Sequence, residues 1–520
     1  MPMHIGSLNV LDLPEGYNGD FFEDVKVCLQ QRLHLADVFT RKLALMPFDL
    51  SNPVWVQEED IDLDYHVRHV SLPKPGTNRQ LQQYVARLHS SLLDRSRPLW
   101  EFFVIDGLQS GQVALYSKLH HAGIDGQAGV AVAQAMFDVT ATGRVIKPPR
   151  PRARRNEYQL GTAELLGAAV RNTLLQTTDL VKSLPLILRS AKSALIPQKD
   201  ANGKRNWSLP KNLTLFAPRT PFNVAITNQR TFAGRTVPMV EVKQIAKLLG
   251  VSLNDVVMAT TAGGLRAYLL ENKELPIKPL LAAVPVSLRT EGDTTANNQV
   301  TVVIMNLATD IKDRLERVRK IHELSANTKE TMGRYKAALP TDFPLLLAPW
   351  LMSATASLFG RSRLANVIPP LANVIISNVA GIPVQLYFAG ATVVSYYPVS
   401  IPTHTMALNV TVQSYNGRLD YGLIACRRAV PDINELADAL LAEHRKLLEL
   451  ALAQAVVPVQ EVPQTVRFKT KPAATVLEST PKRKRIRLAV PDDGAKSVVN
   501  LVALTARPVR KKPSRLAVAA

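Results

Sequence analysis

Short segments of the chain are either unbroken apolar runs or alternate apolar with polar, and segments with helical spacing follow them. Residues 113–119 (VALYSKL) read as a buried or half-buried strand, and 126–137 (GQAGVAVAQAMF) as a helix built from small residues. Residues 252–270 predict a helix with Ser252 or Asn254 available as its N-cap. Residues 300–307 and 408–414 predict strands, and 433–450 a helix. Strand and helix alternate in both halves, which argues for α/β domains.

The pattern breaks twice between those halves. Residues 147–155 (KPPRPRARR) and 198–221, rich in Asn, Lys and Pro, read as linkers. Between them an apolar stripe (Leu166, Val170, Leu174, Thr177, Val181, Leu184, Leu188) predicts an amphipathic helix that Pro185 kinks or ends. Packing against a domain explains such a stripe, while the flanking Arg171, Lys182, Arg189 and Lys192 leave an interfacial membrane role open. The predicted organisation is a first domain over 1–146, a linker with this helix over 147–221, a second domain over 222–455, and a tail over 456–520. Two stretches carry no charge. Residues 364–417 are punctuated by Pro, Gly, Asn, Ser and Thr and suit a buried sheet, whereas 343–360 read as a buried or pocket-lining helix rather than a membrane span.

Composition narrows the class. A chain of 520 residues with 46% hydrophobic and 20% charged residues has material for two cores. Cys28 and Cys426 make no disulfide framework or metal-ligand spacing, so no metal is expected and a reducing, cytoplasmic setting fits. Residues 1–20 have no secretory pattern. Residues 461–520 hold 14 Lys/Arg against 4 Asp/Glu, half of the net charge of +20. With the cluster Lys482-Arg483-Lys484-Arg485-Ile486-Arg487 and no sustained period, this tail is expected to be disordered and to meet an anionic surface such as membrane phospholipid, unless it is simply solvated. No motif supports nucleic acid.

The candidate chemistry lies in His120-His121-Ala122-Gly123-Ile124-Asp125-Gly126, on the turn between the strand 113–119 and the helix that follows. Side chains outside strand ends are where α/β sheets present function. Successive strand side chains point to opposite faces, so one imidazole works and the other supports it, if the strand reaches both. A histidine titrating near neutrality can take a proton from an alcohol as it attacks an acyl carbonyl. The bland alternative is a chance pair with an Asp that caps the next helix.

The run resembles the HHxxxDG signature of acyl-CoA-dependent acyltransferases, whose HxxxDG core selects His121 as general base. The resemblance leaves His120, Asp125 and Gly126 as support of the catalytic loop, with Asp125 a salt-bridge partner. Arg289 is its candidate cation, because it should emerge at the end of a strand after the apolar run AAVPVSL. Residues 62–76 (DLDYHVRHVSLPKPG), 92–100 (LLDRSRPLW), 254–270 (NDVVMATTAGGLRAYLL), 285–289 (PVSLR), 374–381 (VIISNVAG) and 408–431 occur in one order. Together they resemble the bacterial wax ester synthase/diacylglycerol acyltransferase family from about residue 2 to about 450. The resemblance implies two chloramphenicol-acetyltransferase-like domains with the active site in a tunnel at their interface. It further implies transfer of a long-chain acyl group from acyl-CoA to diacylglycerol or a long-chain alcohol. No cofactor is expected beyond acyl-CoA as co-substrate. Peripheral contact with an anionic membrane or lipid body fits such substrates.

Some positions stay open at this level. Asn254 either helps hold the developing oxyanion or caps its helix. His66 and His69, in a polar run, are expected to be exposed and solvated or structural, with contact to the CoA end as the alternative; His404 is a candidate for a place near the cavity, and Trp100 is expected to be a core or pocket-wall aromatic. Two departures stand out. The PMHxG element, Pro2 to Gly6, stands at the very start, and the SNVPGP element reads Ser377-Asn378-Val379-Ala380-Gly381-Ile382, losing both prolines and some rigidity. The competing readings are a condensation-type acyltransferase using a carrier-bound acyl group and a non-catalytic lipid-body coat protein.

Overall fold

All of residues 100–105 are buried, within strand β5 (Trp100–Asp106), and so are 113–119 in its neighbour β6 (Val113–His120). A strand buried on both faces needs cover on both. The computed structural model describes residues 3–44, 53–124, 126–148, 216–287, 300–335 and 369–456, with single helical positions at 167 and 171. It shows the α/β architecture that the alternation predicts. The described elements lie in the unit Met1–Pro458.

The first sheet is six-stranded, in the order β11-β12-β1-β6-β5-β4. Its further strands are β1 (His4–Asp12), β4 (Val67–Ser71), β11 (Tyr387–Phe388) and β12 (Ala391–Val399). All neighbours are antiparallel except β4 and β5. Two of these strands come from residues beyond 386, so the first sheet is not made by the first 146 residues alone. A small separate sheet pairs β2 (Arg41–Ala44) with β3 (Val54–Gln57).

Alternation sorts the core of the first sheet. Trp100, Phe102 and Val104 of β5, with Leu115 and Leu119 of β6, pack with α1 (Phe21–Arg32) and α4 (Gly126–Met136). Phe103, Ile105, Ala114 and Tyr116 point the other way, onto Leu81, Val85 and Ala86 of α3 (Asn78–Ser90). A four-residue helix α2 (Leu63–His66) precedes β4. Thr77 and Gln80 form a capping box that starts α3.

The second sheet follows the order β7-β14-β13-β10-β8-β9. It is built from β7 (Arg230–Pro238), β8 (Leu281–Ser287), β9 (Val300–Asn306), β10 (Val374–Val379), β13 (Leu408–Tyr415) and β14 (Arg418–Cys426). β10 runs parallel to both β8 and β13, and the other pairs are antiparallel. Helices α5 (Met239–Leu249), α6 (Leu253–Glu271), α7 (Arg314–Tyr335) and α8 (Ile433–Val456) supply the rest of this half. Gly263 and Gly264 let α6 approach α8: a Cβ on Gly264 would stand 2.8 Å from the Leu440 Cα. Buried Glu443 of α8 receives Arg317 at 2.5 Å and Arg314 at 2.9 Å, which ties α7 to α8.

The sheets meet along β12. A Cβ on Gly422 would lie 1.7 Å from the Pro398 carbonyl oxygen, and one on Gly234 would lie 2.8 Å from the Tyr397 ring. Only glycine lets the backbones of β12 and β14 come this close. Asp420, fully buried, accepts the Thr236 hydroxyl at 2.6 Å and the Tyr396 N–H at 2.7 Å, and burial raises its pKa. Helix α3 fills the same junction, with Gln82 donating to the Gly234 carbonyl.

Candidate active site

Strand β6 ends at His120, and His121 opens a short 3₁₀ turn (His121–Gly123) before α4 begins at Gly126. The two histidines therefore sit on the expected strand-to-helix turn, but strand alternation stops at the first. His120 continues the Tyr116 and Lys118 face, towards α3 and the second sheet. His121 is held by its backbone N–H on the Met3 carbonyl at 2.8 Å, and its side chain is exposed.

The two rings differ in hydrogen bonding. His120 Nδ1 accepts the Ala122 N–H at 3.2 Å, so the proton of the neutral ring is on Nε2. Its one ring lone pair is thereby engaged. Desolvation, followed by the charge of Arg95, lowers its pKa to about 4, so the ring is neutral and a weak base near pH 7. His121 makes no ring hydrogen bond among the described residues. Asp125 and Arg289, the expected salt-bridge partners, lie outside the described residues, as do the stripe 166–188, residues 343–360 and the tail.

Behind His120 stands a buried file of rings. His4 is its cross-strand partner on β1, with ring centroids 6.0 Å apart, and His4 lies 5.9 Å from His89 at the end of α3. His4 Nδ1 donates to the His89 carbonyl at 3.3 Å. His89 Nε2 donates to the Ser400 carbonyl at 3.1 Å, which leaves Nδ1 to accept the Tyr116 hydroxyl at 2.7 Å. Each tautomer is set by a carbonyl partner. Burial, then the Lys118 charge, lowers His4 to about 3, and burial lowers His89 as well. Lys118 itself is fully buried and pairs with Glu101 at 3.0 Å. The file links β1, β6, α3 and the segment after β12, and so holds the end of β6.

Sequence reasoning missed this file. His4 lies in the quoted PMHxG element, but its partner across the sheet was invisible in a linear reading. His66 also departs from expectation. It is buried rather than exposed, stacked on Trp100 at 4.1 Å between centroids, with Nδ1 donating to the Trp100 carbonyl at 2.7 Å. The polar run DYHVRH suggests solvent, but the single turn of α2 rotates His66 inward. His69 is exposed and bonds Asp106 at 2.7 Å. Trp100 is core: fully buried, with its indole N–H on the Phe39 carbonyl at 3.0 Å.

A second group of motif residues gathers at the start of α6. Ser252 is the N-cap, in a capping box with Asp255. The Asn254 side-chain carbonyl accepts from Asn378 Nδ2 at 3.3 Å, which brings the Asn-Asp element and the Ser-Asn-Val-Ala-Gly element together. Buried Asp255 also accepts His322 Nδ1 of α7 at 2.7 Å, and its pKa is lowered by hydrogen bonds from His322 and Ser252 that outweigh desolvation. His404 Nδ1 accepts the Ile226 N–H at 3.2 Å, on the segment leading into β7. Among the described residues no three His, Cys, Asp or Glu side chains are grouped to hold a metal ion. No single described helix is long and apolar enough to cross a membrane, although the bent pair α5–α6 passes by length and composition.

Residues 1–257 match the wax ester synthase/diacylglycerol acyltransferase catalytic domain, and 296–447 match the WS/DGAT C-terminal domain. A Mycobacterium tuberculosis protein provisionally named a diacylglycerol O-acyltransferase is 37% identical over 451 residues, 86% of this chain and 95% of that protein. The O-acyltransferase WSD of Acinetobacter baylyi is 32% identical over 467 residues, 87% of this chain and 94% of its own length. Among solved structures, the wax ester synthase/diacylglycerol acyltransferase of Marinobacter aquaeolei superposes with a TM-score of 0.61 at 31% identity, over 86% of this chain and 95% of that one.

Proposed function

The chain belongs to the wax ester synthase/diacylglycerol acyltransferase family, and from that premise we propose that it moves a long-chain acyl group from acyl-CoA to diacylglycerol or a long-chain alcohol, with His121 as general base. The observation that carries the choice of base is the asymmetry of the two rings. His120 has its lone pair committed to the Ala122 N–H, while His121 is exposed on the turn with no ring hydrogen bond among the described residues.

The step follows from that arrangement. His121 takes the hydroxyl proton as the alcohol oxygen attacks the thioester carbonyl. The tetrahedral oxyanion collapses and expels CoA thiolate, to which the imidazolium returns the proton. An amide aimed at the oxyanion would favour this charge, and Asn254 is the proposed donor, its carbonyl end already engaged by Asn378. His120, Asp125 and Gly126 support the loop, and the tunnel implied by the family would open at the junction of the two sheets. The basic tail is proposed to hold the enzyme at anionic membrane or lipid-body surfaces, where its substrates gather.

The test is the purified full chain with palmitoyl-CoA and either hexadecanol or dioleoylglycerol. CoA release matched mole for mole by wax ester or triacylglycerol is expected. CoA release without ester, or no release with either acceptor, would overturn the reading.

A further inference from the structure

Three described arginines are no more than 5% exposed, and two have a carboxylate. Arg32 meets Asp138 at 2.5 Å and Arg317 meets Glu443 at 2.5 Å. Arg230, at the start of β7, has none among the described residues. Its Nη1 donates to the Thr227 and Gln229 carbonyls, the latter at 3.2 Å, and its Nε and Nη2 are buried without a partner. An unpaired buried charge is costly, and a guanidinium does not escape the cost by losing its proton near pH 7. The fork of Nε and Nη2 is the geometry that receives two oxygens of one anion.

Among the described residues the surroundings supply no such anion. Arg230 stands opposite Cys426 in the β7–β14 ladder, and the Cys426 sulfur accepts the Thr227 N–H at 3.4 Å. The segment ahead of it is bonded to the loop after β12, through Thr405 N–H on the Val224 carbonyl and Ile226 N–H on His404. That same loop presents the Ser400 carbonyl to His89 and carries a further buried polar atom without a partner, Thr403 Oγ1. The positive charge of Arg230 helps to keep the His4, His89 and His404 rings neutral. Arg230 is thus a desolvated cation at the junction of the two sheets, on the side where the histidine file ends.

We propose that Arg230 is an anion-binding residue of this junction, receiving the oxygens of a phosphate or carboxylate group carried by a ligand. The site is separate from the proton-transfer step at His121, so binding without turnover tests it, and its failure leaves the acyltransferase reading untouched.

The experiment measures binding of inorganic phosphate, palmitate and hexadecanol to the full chain at fixed ionic strength, by calorimetry. Phosphate represents one source of the anion and palmitate the other; hexadecanol carries the chain without the charge. Wild type is expected to bind at least one anion, with affinity about 10–100-fold weaker in Arg230→Met, the range for losing charge-assisted hydrogen bonds. Hexadecanol binding should not change. Without ligand, Arg230→Met should melt no lower than wild type, because it removes an unpaired buried charge. If that variant does not fold, Arg230→Lys carries the test, since it keeps the charge but loses the fork and should still weaken binding several-fold. The proposal fails if neither anion binds wild type, or if binding is undiminished in the variant that folds.

Discussion

Replacing His4 by Asn should flatten the acid side of the stability curve while leaving the protein folded. His4 is 1% exposed, faces Lys118, His120 and Arg230, and titrates at about 3 instead of the usual 6.5. Its folded-state pKa is depressed, so the unfolded chain takes the proton first. The stability this represents is present above 6.5 and is lost progressively as the pH falls towards 3. Between pH ~7.5 and pH ~5 the linkage integral for this one ring is about 2 kcal/mol. Asn keeps a donor near the His89 carbonyl, so the loss at pH ~7.5 should be modest, about 1–2 kcal/mol for the smaller side chain. Urea unfolding of wild type and His4→Asn at both pH values gives a double difference in which His89 and His120, common to both proteins, cancel. Wild type should lose about 2 kcal/mol more than the variant over that interval. Equal losses would refute the argument and show that His4 is not held neutral by its surroundings.

His121→Ala should lower ester formation by about 10²–10⁴-fold in a folded protein, and His120→Ala by less. A folded His121→Ala enzyme keeping more than about a tenth of the activity would remove His121 as the base. Gly422→Ala places a Cβ 1.7 Å from the Pro398 carbonyl oxygen, backbone against backbone, and should cost about 1–3 kcal/mol in urea unfolding; a neutral result would mean that β12 and β14 can part freely. A chain ending near residue 456 should keep its activity on detergent-dispersed substrates and bind anionic vesicles less well, with salt weakening the binding of the full chain. Unchanged vesicle sedimentation after truncation would count against the tail as a tether.

Much of the local structure was determined by sequence alone. Periodicity marks β6, α4, α6 and β13 to within a residue or two, because each needs only a local apolar pattern and a cap such as Ser252. The His120–Gly126 run was legible too, since a motif on a strand-to-helix turn depends on neighbours in sequence. Tertiary structure decided what depends on partners far along the chain. Which residue stands opposite His120 is a matter of register with β1, more than a hundred positions away, and nothing in either segment encodes it alone. The inward turn of His66 depends on a single helical turn and on the Trp100 face it meets. Likewise β12 leaves its own half of the sequence to complete the first sheet, and glycines 234 and 422 acquire their meaning only where it crosses the second. The unpaired state of Arg230 is the same kind of fact. Charge can be counted along a sequence, but whether a buried cation has an anion beside it is settled only when distant segments pack.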